Sequence, residues 1–333
     1  MLRRLLRPLC AIFLALASGL PALAECQGHD LIATMAPGDR AALVARADAV
    51  PFARGNLWVA RRGDQVVTLV GTYHMDDPRH AATLAALQPA LKAAHTLLVE
   101  AGPDEIAALQ DQMRANPGLI VLPPGQSLYQ TLPPETWSRL SAALKARGIS
   151  GAVVTRLRPW YIMMLLSLSS CGPPDGQPGG LDMMLMTAAR DRALPVRGLE
   201  PAETVFDIFN HLTLDDQVAL LNTALAEAAT AEDGMFTMAE AYFRGENRLM
   251  WEFSAWETAR LPGISPDQAA RQMDLLERTV ITNRNRAWIP VIESAAAEGP
   301  VLAGFGALHL AGDDGVLNLL AQNGWAISPL EAP

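Results

Sequence analysis

Four ionisable side chains each follow a short apolar run whose composition is that of a β-strand. They are His74 after residues 66–70, Glu100 after 96–99, Glu200 after 194–199 and His309 after 301–305. The carboxyl ends of parallel strands meet at one edge of a sheet, and ligands bind outside that edge. We therefore expect these four side chains to converge on one site.

Two imidazoles and one carboxylate form a common set of ligands for a divalent metal ion such as Mn²⁺, Co²⁺ or Zn²⁺. His74, Glu100 and His309 supply that set. A metal held by three side chains lowers the pKa of bound water and polarises a carbonyl group. The pattern predicts a metal-dependent hydrolase acting on a peptide or amide bond, with Glu200 or another carboxylate assisting proton transfer.

Both histidines stand in the same short motif, G-x-x-H, at Gly71–His74 and at Gly306–His309. The chain has only six histidines, so the repetition favours a shared function over two unrelated loop histidines. We expect each glycine to let the backbone turn sharply at the strand end, so that the imidazole faces the cleft.

Several candidates have a structural alternative. Glu200 has equal claims as a site residue and as the cap of a helix beginning at Pro201, and Asp182 is a substrate-binding candidate or the cap of a helix over 183–190. Arg284 and Asn285 suit a substrate carboxylate or a developing oxyanion, because a guanidinium presents a fork of donors. An ordinary solvated helix face is their alternative.

Two other functions use the same residues. In a metal-free esterase, His74 would act as general base for a water molecule and Glu100 would orient it. In a non-catalytic binding or signal-quenching protein, the cleft would hold a peptide, a metal or haem. The sequence contains no G-x-S-x-G, no H-E-x-x-H and no G-x-x-x-x-G-K-[ST] motif, which disfavours a serine hydrolase elbow, a zinc helix and a phosphate-binding loop.

The elements that position these residues form two similar units. The runs 66–70 and 96–99 flank an Ala- and Leu-rich helical segment, 80–94, which predicts two adjacent parallel strands joined by a right-handed crossover. The run 301–305 is followed by a helix to Gln322 and a strand at 325–327. We predict an α/β fold: a mainly parallel central sheet built from two similar halves, flanked by helices, with a large helical region at about 103–290.

The N-terminus has the pattern of a secretory signal peptide. Three arginines precede an apolar run, and Ala22-Leu23-Ala24 is a small-residue cleavage pattern. We expect a signal peptide over 1–24, cleaved after Ala24, and a single periplasmic or secreted domain over 25–333 with no membrane anchor. A lipoprotein in which Cys26 carries the lipid is the alternative, which Glu25 fits poorly.

Charge and cysteine content agree with an exported enzyme. The full chain has a net charge of −9, and loss of Arg3, Arg4 and Arg7 would make it −12. This acidity disfavours nucleic acid and anionic membranes as partners and leaves a peptide or small-molecule substrate. Cys26 and Cys171 would remain, and one disulfide between them is expected in an oxidising compartment. A catalytic thiol at Cys171 is the alternative.

From about Gly55 to the C-terminus, the chain resembles the TraB/PrgY/GumN family, which is related to the Tiki proteases. The motifs that carry the resemblance are Gly71-Thr72-Tyr73-His74, Val99-Glu100, Gly180-Leu181-Asp182, Gly198-Leu199-Glu200, Tyr242-Phe243-Arg244-Gly245-Glu246, Arg284-Asn285 and the segment 304–312. The resemblance implies a metal-dependent, peptidase-like site at His74, Glu100 and His309, with Arg284 and Asn285 supporting it or binding substrate. It also implies a fold like that of erythromycin esterases and haem-binding ChaN-type proteins. Glu246 departs from the family, which often has Asp there.

Overall fold

The computed structural model describes residues 28–167, 179–228 and 230–330. The expected signal peptide over 1–24 and both cysteines of the expected disulfide, Cys26 and Cys171, lie outside these residues. The described residues form an α/β protein with one central sheet.

The sheet has six strands in the order β4-β3-β5-β2-β1-β6. The strands are β1 Leu57–Arg62, β2 Gln65–Thr72, β3 Thr96–Val99, β4 Val196–Gly198, β5 Val301–Gly306 and β6 Ala326–Pro329. Strands β2, β5, β3 and β4 are parallel to one another, whereas β1 is antiparallel to both of its neighbours, β2 and β6. The mainly parallel character thus lies in the four strands that end near the predicted site.

Strand β5 lies between β2 and β3, so the predicted adjacency of the His74 and Glu100 strands is wrong. Its register pairs Thr72 with Gly306 on one side and Val99 with Gly304 on the other. Residues 301–305 are all buried, and a strand with no polar residue is most stable at the centre of a sheet, where both of its edges are paired. Strand β1, which no sequence pattern indicated, pairs with the other edge of β2 through a two-residue turn at Gly63-Asp64.

Seventeen α-helices lie within the described residues. They are α1 Leu31–Thr34, α2 Pro37–Asp48, α3 His80–Ala86, α4 Gln88–Ala93, α5 Pro103–Ala115, α6 Leu128–Thr131, α7 Pro134–Ala146, α8 Gly151–Val154, α9 Pro159–Ser167, α10 Leu181–Arg190, α11 Thr204–Asn210, α12 Leu214–Glu227, α13 Ala231–Phe243, α14 Asn247–Thr258, α15 Pro266–Leu276, α16 Asn283–Glu298 and α17 Val316–Gln322. A π-helix, Glu277–Thr282, joins α15 to α16, and a 3₁₀ turn, Ala307–His309, follows β5.

Helices cover both faces of the sheet. On one face α16 and α17 pack on β2 and β5 through Trp288, Ile292 and Leu317, while on the other α4 and α10 pack through Leu91 and Leu185. Two further apolar clusters lie in the helical region, one among α7, α9 and α12 and one among α2, α13 and α14. No helix within the described ranges has the length and apolar character needed to cross a membrane.

Several predicted helix ends differ from the observed ones. The single helix expected over 80–94 is interrupted at Leu87, because Pro89 lacks the N–H that a continuous helix would need there. Helix α11 begins at Thr204 rather than Pro201, so Glu200 is not its cap. Asp182 lies in the first turn of α10, whose N-cap is Gly180, so the cap prediction for Asp182 is also wrong.

Candidate active site

The two G-x-x-H turns pack directly against each other. Strands β2 and β5 are in register, and a Cβ on Gly71 would lie 2.5 Å from Leu310 Cδ1 and 3.0 Å from Ala307 Cα. Neither Gly71 nor Gly306 has a positive φ, so the backbone at these positions does not need the conformational freedom of glycine. Gly71 is required for close contact between the two turns, which brings both histidines to one edge of the sheet.

His309 is buried and fixed in one tautomer by Asn285. The amide Nδ2 of Asn285 donates to the carbonyl oxygens of His309 and Asp314, at 3.2 and 2.8 Å. Its Oδ1, 2.6 Å from His309 Nδ1, must therefore accept the Nδ1 hydrogen, which leaves Nε2 with a free lone pair. Burial lowers the pKa of His309 to about 3, against the opposing charge of Glu100, so the ring is neutral near pH 7.

His74 is held by a carboxylate. Its Nδ1 lies 2.7 Å from Asp182 Oδ2, and Asp182 Oδ1 accepts a hydrogen bond from Thr72 Oγ1 at 2.5 Å. The hydrogen bond to Asp182 raises the pKa of His74 to about 9, more than burial lowers it. Nδ1 therefore donates to Asp182, and Nε2 faces the site.

The backbone conformation of Gly180 places Asp182 beside His74. Its φ is +93°, and a Cβ there would lie 2.5 Å from the carbonyl carbon and oxygen of His74. The next residue, Leu181, donates its N–H to the carbonyl oxygen of Tyr73 at 3.1 Å. This close backbone contact places the first turn of α10 beside the first histidine turn.

Glu100 is ionised and lies between the histidine turns. Its Oε1 accepts the N–H of Gly306 at 2.7 Å, and its Oε2 accepts Arg284 Nη2 at 2.6 Å. Burial alone raises the pKa of Glu100, but the charges of His309, Arg284 and His74 and the Gly306 N–H together bring it to about 2. Since His309 is neutral near pH 7, the charges of Arg284 and His74 and the Gly306 N–H are the partners that stabilise the Glu100 carboxylate there.

Arg284 joins the two glutamates. Its Nε and Nη2 donate to the two oxygens of Glu200 at 2.9 and 2.7 Å, and Nη2 also bonds Glu100. Its Nη1 lies 3.3 Å from His309 Nε2 and donates to the carbonyl oxygen of Val280. Burial alone lowers the pKa of Arg284, but the bonds to Glu200 and the charges of both glutamates raise it above its ordinary value, so the guanidinium stays charged.

Exposure decreases steadily across the cluster. The side chain of His74 is 64% exposed, those of Glu100, Glu200 and Arg284 are 20%, 13% and 10% exposed, and that of His309 is 5% exposed. A substrate or water molecule therefore reaches the cluster from the His74 side. A separate cavity, about 520 Å³, lies behind the His309 turn between α14 and α16, and none of His74, Glu100, Asp182, Glu200, Arg284, Asn285 and His309 lines it.

A small space above Gly306 is common to the three predicted metal ligands. A Cβ on Gly306 would lie 3.2 Å from Glu100 Oε1, 3.5 Å from His74 Nε2 and 3.6 Å from His309 Cδ2. Both Nε2 atoms are unprotonated when the rings are neutral, because each Nδ1 carries the hydrogen that its partner accepts. In donor type and orientation these residues fit a divalent cation.

The present side-chain positions are not those of a closed metal site. Within residues 28–167, 179–228 and 230–330, no group of three or more His, Cys, Asp and Glu side chains is close enough to hold a metal ion. His309 Nε2 is 4.0 Å from Glu100 Oε1, and the Arg284 guanidinium contacts both residues. A cation would therefore have to draw these ligands inward and compete with Arg284 for Glu100.

All seven residues singled out in the sequence lie in this one cluster: His74, Glu100, Asp182, Glu200, Arg284, Asn285 and His309. Sequence reasoning missed Thr72, which holds Asp182, and Trp288, whose indole N–H donates to Glu200 Oε2 at 3.0 Å. One signal was present for Trp288, because it stands four residues after Arg284 and so shares its helix face.

Comparison with protein families gives a match to this chain. The model of the TraB/PrgY/gumN family matches residues 56–329, which is most of the chain and includes every residue of the cluster. No curated protein matches the chain.

Proposed function

Because this chain belongs to the TraB/PrgY/gumN family, we propose that it is a hydrolase of peptide or amide bonds that works with a divalent cation such as Mn²⁺, Co²⁺ or Zn²⁺. His74, Glu100 and His309 would hold the cation. The observation that carries the proposal is the convergence of two oriented imidazoles and an ionised carboxylate on the space above Gly306.

The protein side of this chemistry is largely in place. Asn285 keeps the His309 ring neutral, so that its Nε2 could accept a cation in place of Arg284 Nη1. Asp182 orients His74, whose Nε2 would release its proton when it binds the cation. Glu100 supplies a negative charge near neutral pH, because its pKa is lowered to about 2. A divalent cation in such a site acts as a Lewis acid toward a carbonyl group and lowers the pKa of water.

Arg284 would stabilise negative charge that develops on the substrate oxygen, because its guanidinium is fixed and nearly dry. Glu200, the expected proton-transfer group, has both oxygens bonded to Arg284, and one of them also to Trp288. In this arrangement Glu200 positions Arg284, and it would take a proton only after that pair separates.

A second candidate is a metal-free hydrolase, which the Arg284 contacts favour. The guanidinium already balances the charge of Glu100, so the centre holds together without a cation. His74 Nε2 would then take a proton from the attacking water while Asp182 stabilises the imidazolium. Because His74 has a pKa of about 9, activity by this route would rise with pH up to about 9.

Export, a disulfide, the type of fold and the class of substrate are further parts of this proposal. We propose export of the chain, supported by the signal-like pattern of residues 1–24, and a bond between Cys26 and Cys171. The in-register pairing of β2 with β5, each ending in G-x-x-H, supports two similar halves and a fold of the erythromycin esterase and ChaN type. The net charge of −9 supports a peptide or small-molecule substrate rather than nucleic acid.

A hydrolysis screen separates these candidates. The purified protein is assayed on peptide and ester panels, as prepared, after exhaustive chelation, and after addition of Mn²⁺, Co²⁺ or Zn²⁺. Activity lost on chelation and restored by one cation supports the first candidate, whereas full activity after chelation supports the second. No turnover on either panel, together with tight binding of a peptide or haem, would replace both with a binding protein.

A further inference from the structure

Trp288 lies behind the cluster and contacts three of its groups. It is fully buried on α16, and its indole N–H donates to Glu200 Oε2 at 3.0 Å. The centroid of its ring is 4.5 Å from that of His309, and Arg284 Cζ lies 4.8 Å from the ring centroid. The Trp288 side chain therefore contacts the imidazole of His309, the guanidinium of Arg284 and the carboxylate of Glu200.

We propose that Trp288 is the positioning residue of this centre and that it acts through Glu200 on Arg284. Glu200 Oε2 accepts two hydrogen bonds, one from Arg284 Nε and one from the indole. The indole N–H thus fixes the plane of the Glu200 carboxylate. Because Arg284 donates to both oxygens of that carboxylate, its guanidinium is held with Nη2 directed at Glu100. The inference rests on the proposed function only in its consequence for catalysis.

Trp160 shows what a buried tryptophan without this role looks like. It is also buried, and its ring stacks on that of Phe209 with centroids 5.2 Å apart. Its indole N–H, however, is buried with no hydrogen-bond partner among the residues that the structure describes. Both tryptophans contribute apolar packing, but only the Trp288 N–H bonds a carboxylate, and a hydrogen bond to a charged group is stronger than a neutral one.

The Trp288 ring also closes the inner side of the cluster. An aromatic face attracts a guanidinium and replaces the water that would otherwise solvate it. This placement matches the fall in exposure from 64% at His74 to 5% at His309. Arg284 is thereby kept charged but dry, the condition in which a fixed cation stabilises developing negative charge most strongly.

The test compares Trp288→Phe with Trp160→Phe, a matched control that removes an indole N–H outside the cluster. Nuclear magnetic resonance follows hydrogen exchange of the Arg284 side-chain Nε–H, assigned with Arg284→Lys. We expect this exchange to be at least about tenfold faster in Trp288→Phe and unchanged in Trp160→Phe. Unchanged exchange in Trp288→Phe would overturn the proposal.

Glu200→Gln provides a second variant that keeps Trp288 in place, should Trp288→Phe fail to fold. It should shift the indole N–H resonance of Trp288 and leave that of Trp160 unmoved. In the Glu200→Gln background, Trp288→Phe should add less than about twofold to the exchange rate, because both changes remove the same contact. An unmoved Trp288 resonance, or a full additional effect, would contradict action through Glu200.

The catalytic consequence is measured separately. On a substrate found in the hydrolysis screen, Trp288→Phe should lower kcat about tenfold with KM within about twofold, while Trp160→Phe changes neither. A changed KM with unchanged kcat would contradict the role of Trp288. If the wild type hydrolyses nothing, the proposed function fails, and the exchange measurement still decides whether Trp288 positions Arg284.

Discussion

The two histidine turns share a motif and a place in the sheet, yet their surroundings are opposite. His74 is 64% exposed and its Nδ1 bonds the carboxylate of Asp182, whereas His309 is 5% exposed and its Nδ1 bonds the amide of Asn285. The pKa of His74 is raised to about 9, and that of His309 is lowered to about 3. The strands fix where each imidazole lies, but the partner of Nδ1 and the burial fix its charge.

This difference gives the two rings different capacities. At neutral pH, His309 is an uncharged acceptor at the dry end of the cluster, and His74 is a proton-carrying group at its open end. The same G-x-x-H pattern therefore does not imply the same role. Each of the following changes alters one side of this comparison while leaving the other as a reference.

The largest effect is expected from Asn285→Leu, on the buried side. The change leaves the buried carbonyl oxygen of His309, the partly buried one of Asp314 and the His309 Nδ1–H without this partner. Each unsatisfied buried polar group costs about 1–3 kcal/mol, so we expect a loss of at least about 3 kcal/mol in the free energy of unfolding. Urea denaturation measures it, and a loss below about 1 kcal/mol would show that Asn285 does not hold the turn.

A smaller loss of stability than that of Asn285→Leu is expected from Gly71→Ala, and a still smaller one from Gly306→Ala. Gly71→Ala places a Cβ 2.5 Å from Leu310 Cδ1 and 3.0 Å from the Ala307 backbone, which should cost about 1–3 kcal/mol by overpacking. The Cβ of Gly306→Ala has its tightest contact with Glu100 Oε1, at 3.2 Å, and should cost less than about 1 kcal/mol. Gly306→Ala should instead weaken Mn²⁺ binding measured by calorimetry, because its methyl group fills the space between the three ligands. Equal stability losses in the two variants would contradict this division.

A smaller effect on stability than that of Gly71→Ala is expected from Asp182→Asn, on the exposed side. Because the folded-state pKa of His74 lies above 6.5, its contribution to stability is fully present below pH 6.5 and is lost as pH rises through about 9. The contribution is about 1 kcal/mol after allowance for solvent screening. Asp182→Asn should remove this pH dependence and return the pKa of His74 toward 6.5.

Proton resonance titration of the His74 ring gives that pKa directly, with His309 as the internal control. The His309 signal should not titrate between pH 5 and 10 in either protein, because its folded-state pKa is about 3. A His74 pKa near 9 that persists in Asp182→Asn would show that Asp182 is not its cause.

The sequence indicated much of this arrangement because local patterns carry it. Apolar runs ending in His74, Glu100, Glu200 and His309 are enough to place these side chains at one edge of a parallel sheet. The position of β5 between β2 and β3 was not foreseen, since pairing between residues more than 200 apart leaves no local signal. Strand order, and with it which ligands are neighbours, depends on packing of the whole sheet.

The roles of Asp182 and Glu200 show the same limit. Each precedes or begins a helix, and a capping carboxylate has the same local sequence as one directed into a site. The choice is made by distant residues: the backbone contact of Gly180 with His74 directs Asp182, and Arg284 with Trp288 directs Glu200. The pKa of His74 is raised by its hydrogen bond to Asp182 and that of His309 is lowered by burial, and the shared G-x-x-H motif encodes neither cause.

The central claim is that both histidines, despite their opposite surroundings, bind one cation. Mass-spectrometric metal analysis of the purified protein, beside His74→Ala and His309→Ala, tests it most directly. We predict a nearly stoichiometric divalent transition metal in the wild type, or after incubation with Mn²⁺, Co²⁺ or Zn²⁺, and its loss in both variants. A wild type that binds none of these ions, or a metal retained in either variant, would contradict the claim.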